Sequence, residues 1–524
     1  MSVSMDDRTL LGSLKKAVGL LGDRPMVRFT DGQTHSANAL MDGAAAFGAA
    51  LARQGVKVGD RVAILCTNRV EFIWAFFGAC WIGAVPAPLN TSLHGPILRN
   101  MIEDLDPTAV VCERETETAV RKATAGLPKT LIIVDIDASS EIDRIRDGKQ
   151  RFESPPQHQS ASSDLAMILY TSGTTGRSKG IMYSQEMAIT FSDATHWMLG
   201  YTAEDVAFNC LPLFHGNSLL CTLVPAMRVG AFSVFAPRFS ANTFWETVRA
   251  EGATVLSLLG SMVPILMNQT PSSDDAASRA RIALAVPAPG KSFFQFQERF
   301  NLKLSSLYGM TDIGLPIGVP ADIPGRPGMC GILHEDWECI IADDNDRPLP
   351  DGEIGEALIR PRRPHIMQLG YWRNPAATVE TWRNLWFHTG DYLRRDSTGW
   401  FEFIDRKKDA IRRFGENISS FEVETVLLGH RAIAEAAVYA VPAELEEDEV
   451  MASVVLEPGE HVTAPELLEY CTENLPYFAV PRYIRITPSL PKTQTAKVQK
   501  QELRRIAVDE LSWDAGPRGR RKRS

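Results

Sequence analysis

Behind the apolar run Leu165–Leu169 the chain reads Tyr170-Thr171-Ser172-Gly173-Thr174-Thr175-Gly176-Arg177-Ser178-Lys179-Gly180. The run has the length and apolarity of a buried strand. Gly173 and Gly176 allow backbone N–H groups to approach an anion closely. Thr171, Ser172, Thr174 and Thr175 add hydroxyl donors, and Lys179 adds positive charge against a polyphosphate. A solvated surface loop rich in Ser, Thr and Gly has no reason to set a lysine and flanking glycines so tightly behind a buried strand. The spacing is not that of a P-loop NTPase, which needs four residues between Gly and Gly-Lys-[Ser/Thr]; here two residues separate Gly173 from Gly176, and Lys179 precedes Gly180. A nicotinamide fingerprint G-x-G-x-x-G after an early strand is also lacking.

The elements that would hold such a loop alternate between strand and helix. Ser36 to Gln54 carries Leu40, Ala44, Phe47 and Leu51 at helical spacing and stops at Gly55. Val62–Cys66, Ala109–Cys112 and Leu131–Asp135 are short β-rich runs. Phe72–Ala84 is apolar but too short to cross a bilayer, which suits a buried helix. The alternation predicts an α/β fold with largely parallel sheets. Residues 153–163, rich in Ser, Pro and Gln, read as a surface connection. Glu338–Ala342 and Glu356–Arg360 read as a hairpin around Pro350-Asp351-Gly352. Beyond Asp405-Arg406-Lys407-Lys408-Asp409 the pattern becomes that of a small α+β domain, with strands at Val438–Val441 and Ala452–Leu456 and a helix at Pro465–Asn474. The expected layout is a large multi-subdomain N-terminal α/β domain, 1–404, a small mobile C-terminal domain, 405–512, and a disordered basic tail, 513–524.

Hydrophobic residues make up 44% and charged residues 23% of 524, as in an ordinary globular protein. A net charge of −9 argues against a nucleic-acid binder, which needs a basic footprint. Eight cysteines without a C-x-x-C pair read as reduced buried thiols, not a zinc site or a disulfide framework. The N-terminus has no basic region leading into an apolar signal core, so a cytoplasmic location and no membrane span are expected.

The loop resembles the phosphate-binding loop of the acyl-CoA synthetase, luciferase and peptide-synthetase adenylation superfamily. Five further segments resemble that superfamily in the same order. They are Leu211-Pro212-Leu213-Phe214-His215-Gly216, Tyr308-Gly309-Met310-Thr311-Asp312, and His388-Thr389-Gly390-Asp391. Next comes Asp405–Asp409 with Gly415-Glu416-Asn417-Ile418, and last Leu490-Pro491-Lys492-Thr493 running to Lys497. The resemblance implies that a carboxylate attacks the α-phosphate of ATP to form acyl-AMP, and that the thiol of coenzyme A then displaces AMP. It places Tyr308 and Gly309 along the adenine, Thr311 at the α-phosphate, and Asp312, where Glu is usual, on Mg2+. Asp391 is assigned to the ribose hydroxyls and Arg406 to the ribose or phosphates. Lys497 bridges carboxylate and α-phosphate, with Ala496 where the neighbour is usually Gly. Lys408 is the hinge on which the small domain turns to exchange Lys497 for the Gly415 loop, and Arg412 or Arg413 meets a CoA phosphate. Lys492 and Lys500 are expected at the surface.

His215 is expected to border the acyl pocket and the thiol route. Phe214, Asn217, Ser257–Met262, Val286–Pro289 and Ile313–Pro316 should wall that pocket. No Asp stands near His215 to hold an amino-acid ammonium, which argues against a peptide-synthetase domain. The run Arg238–Trp245 and the loop Gly415–Ser419 resemble the crotonobetaine/carnitine–CoA ligase branch and imply a short or compact acid. Aromatic acids of the 4-coumarate kind, and a degenerate AMP-binding sensor without activity, are the alternatives. Expected partners are a small carboxylic acid and coenzyme A; a homodimer is compatible with this reading.

Overall fold

The protein is described from a computed structural model that covers residues 8–30, 32–127, 132–146, 157–171, 178–290, 292–407, 409, 411–413, 416–442, 448–475, 477, 479–492 and 497–516. Ser172–Arg177, Lys408, Gly415 and the basic residues from 517 onward lie outside the described residues.

Two sheets of the large domain are parallel, as alternating strands and helices dictate. The seven-stranded sheet runs Lys303–Ser305, Ile282–Val286, Val255–Leu259, Val206–Asn209, Phe232–Phe235, Pro25–Phe29, Thr34–Ser36, and only its last pair is antiparallel. Val85–Pro88, Arg61–Leu65, Ala109–Cys112 and Ile132–Asp135 form a fully parallel four-stranded sheet. The helix Ala37–Arg53 starts where Ser36 accepts the Ala39 N–H, an N-cap that satisfies one orphan donor of the first turn. It packs on the helix Val70–Trp81, which is buried along nearly its whole length.

The third large sheet departs from the expectation of parallel pairing. Its eight strands are joined antiparallel, in the order Leu307–Met310, Gly314–Gly318, Met329–Leu333, Trp400–Arg406, Trp386–Arg395, Ile354–Pro361, Trp337–Ala342, with Trp382–Arg383 added at the side. Short turns such as Pro350-Asp351-Gly352 leave no room for the helical crossover a parallel pair requires. Trp400–Arg406 carries this sheet past residue 404.

The small unit pairs Ile433–Pro442, Asp448–Leu456, Tyr483–Ile486 and Ser512–Asp514 in one sheet. The helices Ser420–Leu428 and Ala464–Asn474 pack on it, and Val423, Leu427, Val450, Val454, Leu467 and Ile484 share its core. The last strand reaches Asp514, two residues into the stretch the sequence assigns to the tail. Among the described residues no helix is long and apolar enough to cross a membrane.

Candidate active site

The strand Leu165–Tyr170 pairs antiparallel with Gly180–Ser184, so Thr171 and Lys179 flank the mouth of a hairpin. Their backbones meet there, Thr171 N–H donating to Lys179 O at 3.2 Å. Segment 369–372 lies along the second strand, through Leu369 N–H to Met182 O, Met182 N–H to Gly370 O, and Trp372 N–H to Gly180 O. This edge delivers Tyr371, a residue with no place in the sequence motifs. Lys179 Nζ sits 4.7 Å from the centre of the Tyr371 ring, and the Tyr371 hydroxyl donates to Asp312 Oδ1.

Asp312 follows Thr311 in the turn that joins strands Leu307–Met310 and Gly314–Gly318. The turn is tight: a side chain at Gly309 would lie 2.5 Å from Gly314 O. Tyr183, fully buried, fixes the turn by donating to Thr311 O at 2.6 Å. Asp312 is only 6% exposed, and burial pushes its carboxyl above the ordinary value. The Tyr371 hydrogen bond and the charges of Lys179 and Arg406 pull the other way. Among the described residues no three His, Cys, Asp or Glu side chains form a metal cage. One carboxylate completed by substrate phosphates is the usual way magnesium is held, and Asp312 fits that use.

On the neighbouring strands Asp391 and Arg406 are directly opposite in register. Gly390, at φ 68°, supplies the left-handed step before Asp391 that other residues take with strain. Asp391 Oδ2 accepts the Tyr308 hydroxyl at 2.9 Å, and Arg406 Nε stands 3.9 Å from Asp391 Oδ1. Burial, and then Asp391, hold the Tyr308 phenol well above its ordinary value, so it stays a donor. Lys407 turns back to the large domain, with Nζ on Asp344 at 2.9 Å and Glu356 at 3.1 Å and its N–H on Gly390 O. Asp409 turns the opposite way, to Arg504 of the small unit at 3.0 Å.

Lys497 arrives from the small unit. Loss of water lowers its ammonium below the ordinary lysine value; Arg406 adds to this and Asp391 opposes it. The same cation is felt by His215, whose imidazole is lowered to about 4, chiefly by burial and then by Lys497. His215 follows Phe214, with ring centres 4.6 Å apart. Two wall segments of the expected acyl pocket meet where Gly260 N–H donates to Val286 O at 2.6 Å, with no room for a side chain at Gly260 against Pro287.

The structure thus gathers Lys179, Tyr308, Thr311, Asp312, Asp391, Arg406, Lys497 and His215 around one centre, from segments up to 318 residues apart. Two expectations are corrected. Arg413 is 1% exposed and paired with Glu449 at 2.8 Å, so it does not face a CoA phosphate; its partner lies on a distant strand and left no local signal. Lys500 is not a surface lysine, because it is sunk against Glu424 at 2.8 Å and Ser420 Oγ at 2.6 Å, tying the helix Lys500–Ile506 to Ser420–Leu428.

The chain is similar to known proteins along most of its length. Residues 14–372 match the family described as AMP-binding enzyme, and 422–497 match the AMP-binding enzyme C-terminal domain. A crotonobetaine/carnitine–CoA ligase of Salmonella arizonae is 31% identical over 474 residues, covering 86% of this chain and 89% of that protein. ATP-bound MatB from Rhodopseudomonas palustris superposes with a TM-score of 0.84 at 25% identity, over 95% of this chain and 98% of its own. The o-succinylbenzoate CoA synthetase of Bacillus subtilis, solved with its acyl-adenylate intermediate, gives 0.82 at 25% identity, over 94% and 97%.

Proposed function

This chain belongs to the AMP-binding enzyme family as an adenylate-forming acyl-CoA ligase, and from that premise we propose that its acid is short or compact, of the size of carnitine or crotonobetaine. One observation carries the assignment of roles: Lys497, from the small unit, stands within electrostatic reach of Arg406, Asp391 and His215. A cation at that point offsets the repulsion when an acid carboxylate oxygen attacks the α-phosphorus of ATP and the bond to pyrophosphate breaks. Tyr308 and Asp391 hold adenine and ribose, Thr311 holds the α-phosphate, and Lys179 with the hairpin loop holds the polyphosphate. Magnesium, when bound, would neutralise triphosphate charge, and Asp312 is the carboxylate that would hold it.

In the second half-reaction the CoA thiol attacks the acyl carbon and AMP leaves. We assign this step to a second arrangement in which the small unit turns at Lys408, between the oppositely anchored Lys407 and Asp409. The small unit then spans from residue 409 to 514. A compact acid is supported by the likeness to the crotonobetaine/carnitine–CoA ligase. An aromatic acid is the second reading, supported by the likeness to o-succinylbenzoate CoA synthetase and by the adjoining Phe214 and His215 rings. Pyrophosphate release and thioester formation, measured across aliphatic, aromatic and trimethylammonium acids with and without CoA, test this. Compact acids should lead; coumarate or palmitate as the best substrate overturns the proposal.

A further inference from the structure

Asn209 ends the parallel strand Val206–Asn209 and is fully buried. The Leu211 backbone N–H, which can only donate, bonds Asn209 Oδ1 at 2.8 Å. The Asn209 amide is thereby oriented, and its Nδ2 donates to Thr222 Oγ1 and Asn217 Oδ1, each at 2.9 Å. Ser257 Oγ, from the adjoining strand Val255–Leu259, donates to the same Asn217 oxygen at 2.8 Å. Because a nitrogen donor faces it, that Asn217 atom is the carbonyl oxygen, and flipping the amide would set donor against donor. Asn217 Nδ2 is consequently locked on the outer side. Asn217 is partly exposed, and among the described residues no acceptor meets this nitrogen. It lies two residues after His215, at the carboxyl end of a parallel strand, where open α/β sheets take their ligands.

We propose that Asn217 is a specificity-determining residue of the acyl pocket, its locked Nδ2 donating to an oxygen acceptor on the acyl chain of the acid. The preferred substrates are then hydroxy- or oxo-substituted acids, not plain alkanoic acids of the same length. A donor held by two inner bonds loses no orientational freedom on binding, and an acid without an acceptor strands it out of water. The inference rests on the compact-acid pocket beside His215 proposed above.

Acid-dependent pyrophosphate release is measured with butanoate and pentanoate and with their hydroxy and oxo derivatives. Wild type, Asn217→Ala and Asn217→Asp are compared. Wild type should favour the substituted acid by about tenfold in kcat/KM, and Asn217→Ala should erase the preference. Asn217→Asp keeps an acceptor for both Asn209 and Ser257, so the inner network survives while the outward donor is lost; it should lose the preference for oxo acids, which can only accept, and gain activity on amino-substituted acids, which can donate. Plain acids used as well as substituted ones by wild type, or a preference for oxo acids undiminished in Asn217→Asp, overturns the inference and leaves the ligase reading intact. If none of these acids supports pyrophosphate release while long or aromatic acids do, the compact pocket fails first and the inference falls with it.

Discussion

We assign to Lys497 the part that distinguishes the two half-reactions. Lys497→Ala should lower acyl-AMP formation by about 10²–10³, the loss of some 3–4 kcal/mol of transition-state stabilisation, while supplied acyl-AMP is still converted to thioester. Equal loss of both steps overturns the assignment. His215 makes a prediction about pH. Its folded value is about 4, below the value of about 6.5 in an unfolded chain. Between these the unfolded chain binds a proton that the folded chain refuses, so stability is complete above about pH 6.5 and falls as pH drops toward about 4. His215→Asn should flatten that fall by about 1–3 kcal/mol. Denaturant titrations of both proteins at neutral and mildly acidic pH measure it, and parallel curves would refute it. Residue types within a motif were legible in the sequence because Thr311-Asp312 or Lys179 sit in short distinctive strings. Tyr371 was not, since its bond to Asp312 joins residues far apart in the chain and nothing around Gly370-Tyr371-Trp372 marks it. Arg413 misled for the converse reason: a charge beside a loop motif looks exposed until Glu449 is placed against it.

Among the elements, those with a strong local period were readable. Ser36 with the spacing of Leu40, Ala44, Phe47 and Leu51 specifies Ala37–Arg53, and the Pro-Asp-Gly turn specifies the pairing of Trp337–Ala342 with Ile354–Pro361. The order of strands within the eight-stranded sheet was not readable, because Met329–Leu333 and Trp400–Arg406 pair across about seventy residues of chain with no local code for register. The segment 405–409 belongs to this scale too. Lys407 is bound to the large domain and Asp409 to the helix Lys500–Ile506, which is why we propose position 408 as the pivot. Lys408→Pro, which fixes φ near −65°, should leave single-turnover acyl-AMP formation intact and abolish CoA transfer. Loss of both steps would show that position 408 is more than a pivot.

For the molecule as a whole, we propose that the large domain sets which acid enters and the small unit which step occurs. Each methylene buried in an open tunnel contributes about 0.8 kcal/mol, so a long tunnel predicts kcat/KM that climbs from acetate to palmitate. A closed pocket predicts a peak and then a steep fall, since overpacking costs about 1–3 kcal/mol; we expect the peak at short acids, and a monotonic rise would refute it. The nearness of Lys497 to His215 also has a consequence for the order of events. While Lys497 is in place its charge joins burial in keeping the imidazole unprotonated. Were the small unit withdrawn as proposed, that charge would go and burial alone would remain, so His215 would be a stronger base as a thiol arrives with a proton to lose. The enzyme would then carry an interlock, in which the proton acceptor for the second step is silenced until the first is over. NMR titration of the imidazole should find it more basic in Lys497→Met than in wild type, and an unchanged midpoint would show that burial alone does the silencing.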